Sequence, residues 1–188
     1  MVGVMPPVRN LAPGNTIVYP NRDKAASKAT KAIVVLILLV SVVLMLVVTI
    51  GGWSKLEGEQ PVNFVFVLAY LFFAFYISRW KRGLLPIAAA AGILLLILAA
   101  VATTGASGTS WFDRSNAGFA APGSLFGGRG LSPDVLGLAT ALLIPVQALL
   151  IVFSMQAFAQ GWNVEVEAPI DEARRRGANS SSVKPAAA

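Results

Sequence analysis

The sequence predicts an all-α integral membrane protein with four transmembrane helices, N and C termini cytoplasmic, and a long ordered outer loop between helices 3 and 4. Three observations lead there. Four apolar runs, at about 32–53, 61–78, 84–103 and 133–160, approach the ~20 residues that about 30 Å of hydrocarbon requires. Apart from Asp134 at the very start of the last run, none of them contains a charged residue. Charged residues make up 13% of the chain, about half the ~25% of soluble domains.

Orientation follows from where the basic residues fall. The turn Ser78-Arg79-Trp80-Lys81-Arg82-Gly83 packs three positive charges between the second and third runs. Short loops of that sign are held back during insertion and stay cytoplasmic. With that turn inside, twelve Lys and Arg side chains lie on the inner side, and only Lys55, Arg114 and Arg129 lie outside. The count places both termini in the cytoplasm.

Residues 1–20 contain Pro6, Pro7, Pro13, Gly14 and Pro20, and read as an irregular cytoplasmic arm. The membrane domain is expected over 21–162. Asn21 is placed to cap a helix, with Asp23 in its first turn, that runs without interruption into the membrane. Lys24, Lys28 and Lys31 share one face of that helix just outside the bilayer, as a positive anchor for anionic phospholipid headgroups. Arg79, Trp80, Lys81 and Arg82 have the same expected role at the inner turn. The apolar run that follows is longer than a signal-peptide core, and Val47-Val48-Thr49-Ile50 continues it where a cleavage site would place small residues, so it reads as retained.

The second run is aromatic. Within it Asn63 and Tyr70, seven apart, occupy one helical face and suit an interhelical hydrogen-bond pair or water-edge anchors. The third run carries Pro86 in its first turn, where proline is tolerated, and then Ala88 and Gly92, a small-xxx-small pair that marks a close-packing face. Residues 104–132 form the outer loop, too long for an ordinary connection. Its aromatics Trp111, Phe112, Phe119 and Phe126 are expected at headgroup level or in a partner's groove.

The fourth run opens with Ser132 as cap, Pro133 at the first helical position and Asp134 in the first turn. Pro145 interrupts its hydrogen-bond ladder. Gln147 lies deep in the run, and an interhelical bond is the reading of that amide preferred over a bound polar ligand. Residues 163–188 read as a cytoplasmic tail, mostly flexible. Asn163 to Pro169 alternates like a strand, but over too few residues to form a sheet alone.

Chemistry is constrained by what the chain lacks. It has no Cys and no His, which removes disulfides, thiol chemistry, the usual zinc ligands and histidine proton relays. The glycine-rich pieces near Gly105 and Gly127–Gly130 match no phosphate-binding fingerprint. The net charge of +6 is spread over the ends of apolar runs and forms no nucleic-acid surface. No catalytic residue, cofactor or metal ligand is expected.

Three functional classes remain. The favoured one is a non-catalytic accessory subunit or assembly factor of a larger membrane complex, of respiratory or other energy-transducing type by analogy, whose partners are other integral membrane subunits. The second is a small oligomeric channel or carrier with Asn63, Tyr70, Pro145 and Gln147 along a polar path. The third is a lipid-binding or lipid-modifying protein built on Trp80 and its basic neighbours. Richness in Ala, Val, Gly and Arg resembles proteins of high-GC bacterial genomes, which places the chain in a bacterial cytoplasmic membrane.

Overall fold

A computed structural model describes residues 12–56, 59–104, 123–175 and 183–184. Four long helices dominate it: α2 (Ala25–Gly51), α3 (Gln60–Ser78), α4 (Leu84–Thr104) and α5 (Pro133–Ala159), preceded by β1 (Asn15–Val18) and α1 (Pro20–Asp23). Each long helix is long and apolar enough to cross a membrane. The chain ends with β2 (Val166–Pro169), α6 (Ile170–Arg175) and β3 (Val183–Lys184).

The helices form a square. Going round it, α3 packs on α2, α2 on α5 and α5 on α4, while α4 closes back onto α3 by a thinner contact. On α2 the buried positions Val34, Leu38, Ser41, Val42, Met45, Val48 and Thr49 recur every three or four residues and trace one face. Tyr70, Phe73 and Ile77 of α3, Leu85, Ala88 and Leu95 of α4, and Leu143 and Leu150 of α5 meet it in one core. The outward faces stay apolar, with Leu36, Val43, Leu68, Phe75, Leu94, Leu138 and Val152 exposed. A helix apolar all round belongs in a larger interior or in lipid.

Local signals at the helix starts work as the residues dictate. The Ser132 hydroxyl accepts from the Val135 N–H at 3.4 Å, Pro133 follows it, and Asp134 sits at the positive end of α5. At the far end of α2, the Leu131 N–H donates to Gly51 O at 2.8 Å and the Leu125 N–H to Ile50 O at 3.0 Å. Two terminal carbonyls of α2 are thereby satisfied. Gly51 lets the two approach closely, because a Cβ on it would overlap Leu131 Cδ1. This end of the bundle lies opposite the Trp80 turn.

Three expectations need correction. The N-terminal arm is not wholly irregular: β1 is the middle strand of an antiparallel sheet of order β2-β1-β3, with Thr16 opposite Ala168 and Ile17 opposite both Glu167 and Lys184. Its breakers flank the Thr16-Ile17-Val18 run without entering it. Second, α1 and α2 are separate helices, because Lys24 adopts an extended conformation (φ −61°, ψ 132°). Asn21 does not cap; its side-chain amide donates instead to Gly161 O at 3.0 Å, beyond the end of α5. Third, the first part of the tail, through α6, is structured, and Ala173 packs with Val18 and Ala168 in a small core of its own, whereas residues 176–182 and 185–188 lie outside the described residues. The described segments that flank the bundle on either side in sequence therefore meet at one end of it.

Candidate functional site

The polar side chains of the helices converge at two levels. At the centre of the square, Gln147 on α5 is fully buried and touches all three other helices. The Tyr70 hydroxyl of α3 donates to Gln147 Oε1 at 2.9 Å. Gln147 Nε2 donates to Ser41 Oγ on α2 at 2.9 Å, and the Ser41 hydroxyl donates to Ile37 O at 2.9 Å. Gly92 of α4 completes the ring, its position leaving a Cβ 3.6 Å from Gln147 Oε1. Polar groups held in an apolar medium are costly unless paired, and here each finds a partner.

Toward the Trp80 end a second clasp joins α2 to α5. Gln160 Nε2 donates to Thr30 Oγ1 at 2.8 Å, the Thr30 hydroxyl donates to Ala26 O at 2.7 Å, and Trp162 Nε1 donates to Gln160 Oε1 at 3.0 Å. Between the two levels, the Ser154 hydroxyl is buried without a hydrogen-bond partner among the described residues.

The basic turn is built differently from an open lipid anchor. Trp80 has φ 65°, in the left-handed region that is unfavourable for a residue with a Cβ. Packing offsets this strain: Trp80 is 8% exposed, and its ring meets the buried Trp162 edge-on at 5.2 Å. Lys31 Nζ lies 3.9 Å above the Trp80 ring and donates to Ser78 O at 3.3 Å. Arg22 reaches across to donate from Nε to Trp162 O at 3.1 Å, and Arg82 Nε donates to Phe158 O at 2.8 Å. The Arg82 charge therefore sits at the negative end of α5.

The residues expected to contact headgroups divide accordingly. Lys24, Lys28, Arg79 and Lys81 are exposed, Lys31 and Arg82 are half-buried on aromatic faces, and Trp80 faces inward. Trp80 turns in because Trp162, distant in sequence, offers it a ring. Burial also depresses the pKa of the Arg22 guanidinium.

The remaining expected residues are also placed. Ala88 and Gly92 form a packing face within the chain, against α5. Asn63 lies on the inward face of α3, as its spacing to Tyr70 requires, but pairs with neither Tyr70 nor Gln147; it lines a cavity nearer the Gly51 end. Phe126 is 84% exposed at the tip of a turn, whereas Trp111, Phe112 and Phe119 lie outside the described residues. Among the described residues no group of three or more acidic side chains is arranged to hold a metal ion.

Sequence reasoning missed Ser41, Thr30, Arg22 and Trp162. Ser41 carried a usable signal as the lone hydroxyl in the middle of the first run. Arg22 and Trp162 carried none, since their meeting depends on the two chain ends returning to one place. The fold and these clasps define a four-helix bundle of membrane-spanning dimensions, cross-linked inside by polar side chains that pair everywhere described except at Ser154. No protein-family model matches the chain, and neither does any curated protein or solved structure.

Proposed function

We propose that this chain is a non-catalytic accessory subunit or assembly factor of a larger membrane protein complex. In this reading it crosses a bacterial cytoplasmic membrane four times with both termini inside, and partner subunits and anionic phospholipids surround it. One observation carries the proposal. The side chains a polar conduit would use, Tyr70 and Gln147, are bonded to each other and to Ser41. The bundle spends its deep polar groups on internal cohesion and turns uncharged apolar faces outward, as a structural element among other helices does.

The chain ends support the same reading. The sheet built on β1 and the exposed Lys24, Lys28, Arg79 and Lys81 lie at one end of the bundle, a compact platform beside a basic surface. Such a platform suits docking to inner-side subunits and to anionic headgroups.

Gentle detergent extraction of the tagged full-length chain tests the proposal. The expected result is co-purification at fixed stoichiometry with other integral membrane proteins, unaltered by Gln147→Leu where that variant remains folded. Recovery only as a homo-oligomer that passes solute in liposomes overturns it.

A further inference from the structure

The helix pair joined by the tightest turn separates toward its other end. Beyond the Trp80 turn, α3 follows α2 and α4 follows α5, and between them at the Gly51 end lies a cavity of about 210 Å³. An apolar cavity of about 150 Å³ is already large enough to hold a benzene ring. The floor is hydrocarbon: Met45, Leu95, Ala99 and Leu143 are all buried. Thr140 also lines it, but its hydroxyl proton is already given to Leu136 O at 2.9 Å, so it offers the cavity no donor. The mouth opens between Val62 of α3 and Leu98 and Val101 of α4, three exposed apolar side chains on the outer faces of their helices. An occupant reaches this space sideways, out of the membrane.

Two polar groups break the apolar lining. Glu59 and Asn63 stand one turn apart at the start of α3 and both line the cavity. Neither side chain has a hydrogen-bond or ion-pair partner among the described residues, although the Asn63 backbone N–H bonds Glu59 O at 3.1 Å. The arrangement is an apolar slot with an anionic carboxylate and a free carboxamide at its rim, at the depth where a bilayer passes from hydrocarbon to headgroup.

We propose that this cavity holds the headgroup-proximal stretch of one acyl chain of an ethanolamine-type phospholipid, with the lipid ammonium on the Glu59 carboxylate and the ester region on the Asn63 carboxamide. Charge selects the headgroup. A primary ammonium makes a charge-assisted hydrogen bond to a carboxylate, a choline headgroup has the charge without N–H donors, and a glycerol headgroup leaves the lipid anionic and repelled. The site is separate from the basic residues at the opposite end of the bundle, which select lipid of the opposite character. It rests on the membrane-spanning reading alone and not on the subunit assignment.

The test uses the full chain, extracted from membranes, delipidated and titrated with ethanolamine, choline or glycerol phospholipids of one acyl composition, with retention read by native mass spectrometry. The expected order is ethanolamine over choline over glycerol, with about five- to tenfold between first and last. Glu59→Gln, at an exposed position remote from the core, abolishes that preference; Ala102→Phe, in the cavity lining next to Val101, lowers retention of all three, with thermal unfolding confirming that each variant is folded. Equal retention of the three lipids, or retention of the ethanolamine lipid unchanged in either folded variant, overturns the site. A chain absent from the membrane fraction overturns the membrane-spanning reading itself, a separate result.

Discussion

The Tyr70 hydroxyl donates to Gln147 Oε1 at 2.9 Å and so ties α3 to α5, helices that stand diagonally across the bundle and do not pack side by side. With Ser41 as the second partner of Gln147, a single amide fixes the rotation of three helices about their axes. Apolar packing alone resists rotation weakly in lipid, because a rotated leucine meets hydrocarbon either way. The amide therefore supplies specificity of arrangement.

Gln147→Leu is expected to lower stability by about 1–2 kcal/mol, since it leaves the Tyr70 hydroxyl unpaired in an apolar interior. Adding Tyr70→Phe should recover part of that loss. A double-mutant cycle in detergent, followed by reversible unfolding, is expected to give a coupling of about 0.6–1.7 kcal/mol. Strict additivity of the two single substitutions would show that the bond does not hold the helices.

Ser154 gives the opposite expectation. Its hydroxyl is buried and unpaired among the described residues, so Ser154→Ala removes an uncompensated polar group. The variant should be as stable as the parent or gain up to about 1 kcal/mol. A clear loss in the same unfolding measurement would reveal a partner for that hydroxyl.

The Trp80 corner separates packing from charge. Trp80→Ala should cost about 3 kcal/mol or more, because it empties the space against Trp162 and removes the ring beneath Lys31. Lys81→Gln, at an exposed neighbouring position, should stay within about 0.5 kcal/mol. Thermal unfolding of the two variants checks the contrast, and equal effects would count against an inward-facing Trp80.

Two helical glycines, Gly51 of α2 and Gly92 of α4, should respond differently to alanine. At Gly51 the new methyl overlaps the side chain of Leu131, whose backbone N–H is bonded to Gly51 itself, so that side chain must leave its place against α2. A loss of about 1–3 kcal/mol is expected. At Gly92 the methyl meets Ile151, Leu150 and Gln147 at 3.4–3.6 Å, ordinary contact distances, and the helix gains a better former. Gly92→Ala is therefore expected to be neutral or stabilising by up to about 1 kcal/mol.

The sheet joining the chain ends should respond to pH. Glu167 accepts from the Asn15 side chain at 3.0 Å and the Ala12 N–H at 2.8 Å, and these bonds hold its carboxyl below the ordinary value of 4.5. Its contribution is complete above that value and is lost as pH falls through the lowered one. Just beyond β1, burial and then the bond to Glu165 raise the Tyr19 phenol above its ordinary 10.0, so that contribution is complete below 10.0 and is lost as pH rises through the raised value. Hydrogen exchange at the β1 amides, corrected for intrinsic rate, should show protection between these limits and less outside them. A flat profile would mean that neither bond contributes to the clasp.

Hydropathy and helix caps are local properties, and the residues that depend on them were legible. The four runs, the Ser132 cap, and the shared inward face of Asn63 and Tyr70 follow from the composition and spacing of a few neighbouring residues. Gln147 stood out because a lone amide deep in an apolar run needs a partner, although the sequence did not show which one. The partners were hidden because they lie 77 and 106 residues away, in Tyr70 and Ser41.

The sequence by itself determined that this protein has four apolar helices of membrane-spanning length, since that outcome is set by the solvation of each segment separately. Only the tertiary structure decided that Thr16-Ile17-Val18 becomes a strand, that Asn21 turns from capping its own helix to bonding Gly161, and that Trp80 faces Trp162. Each of these depends on a hydrogen bond or ring contact whose other half is supplied by a remote part of the chain. The energy of such a pair exists only once the bundle has brought its two halves together.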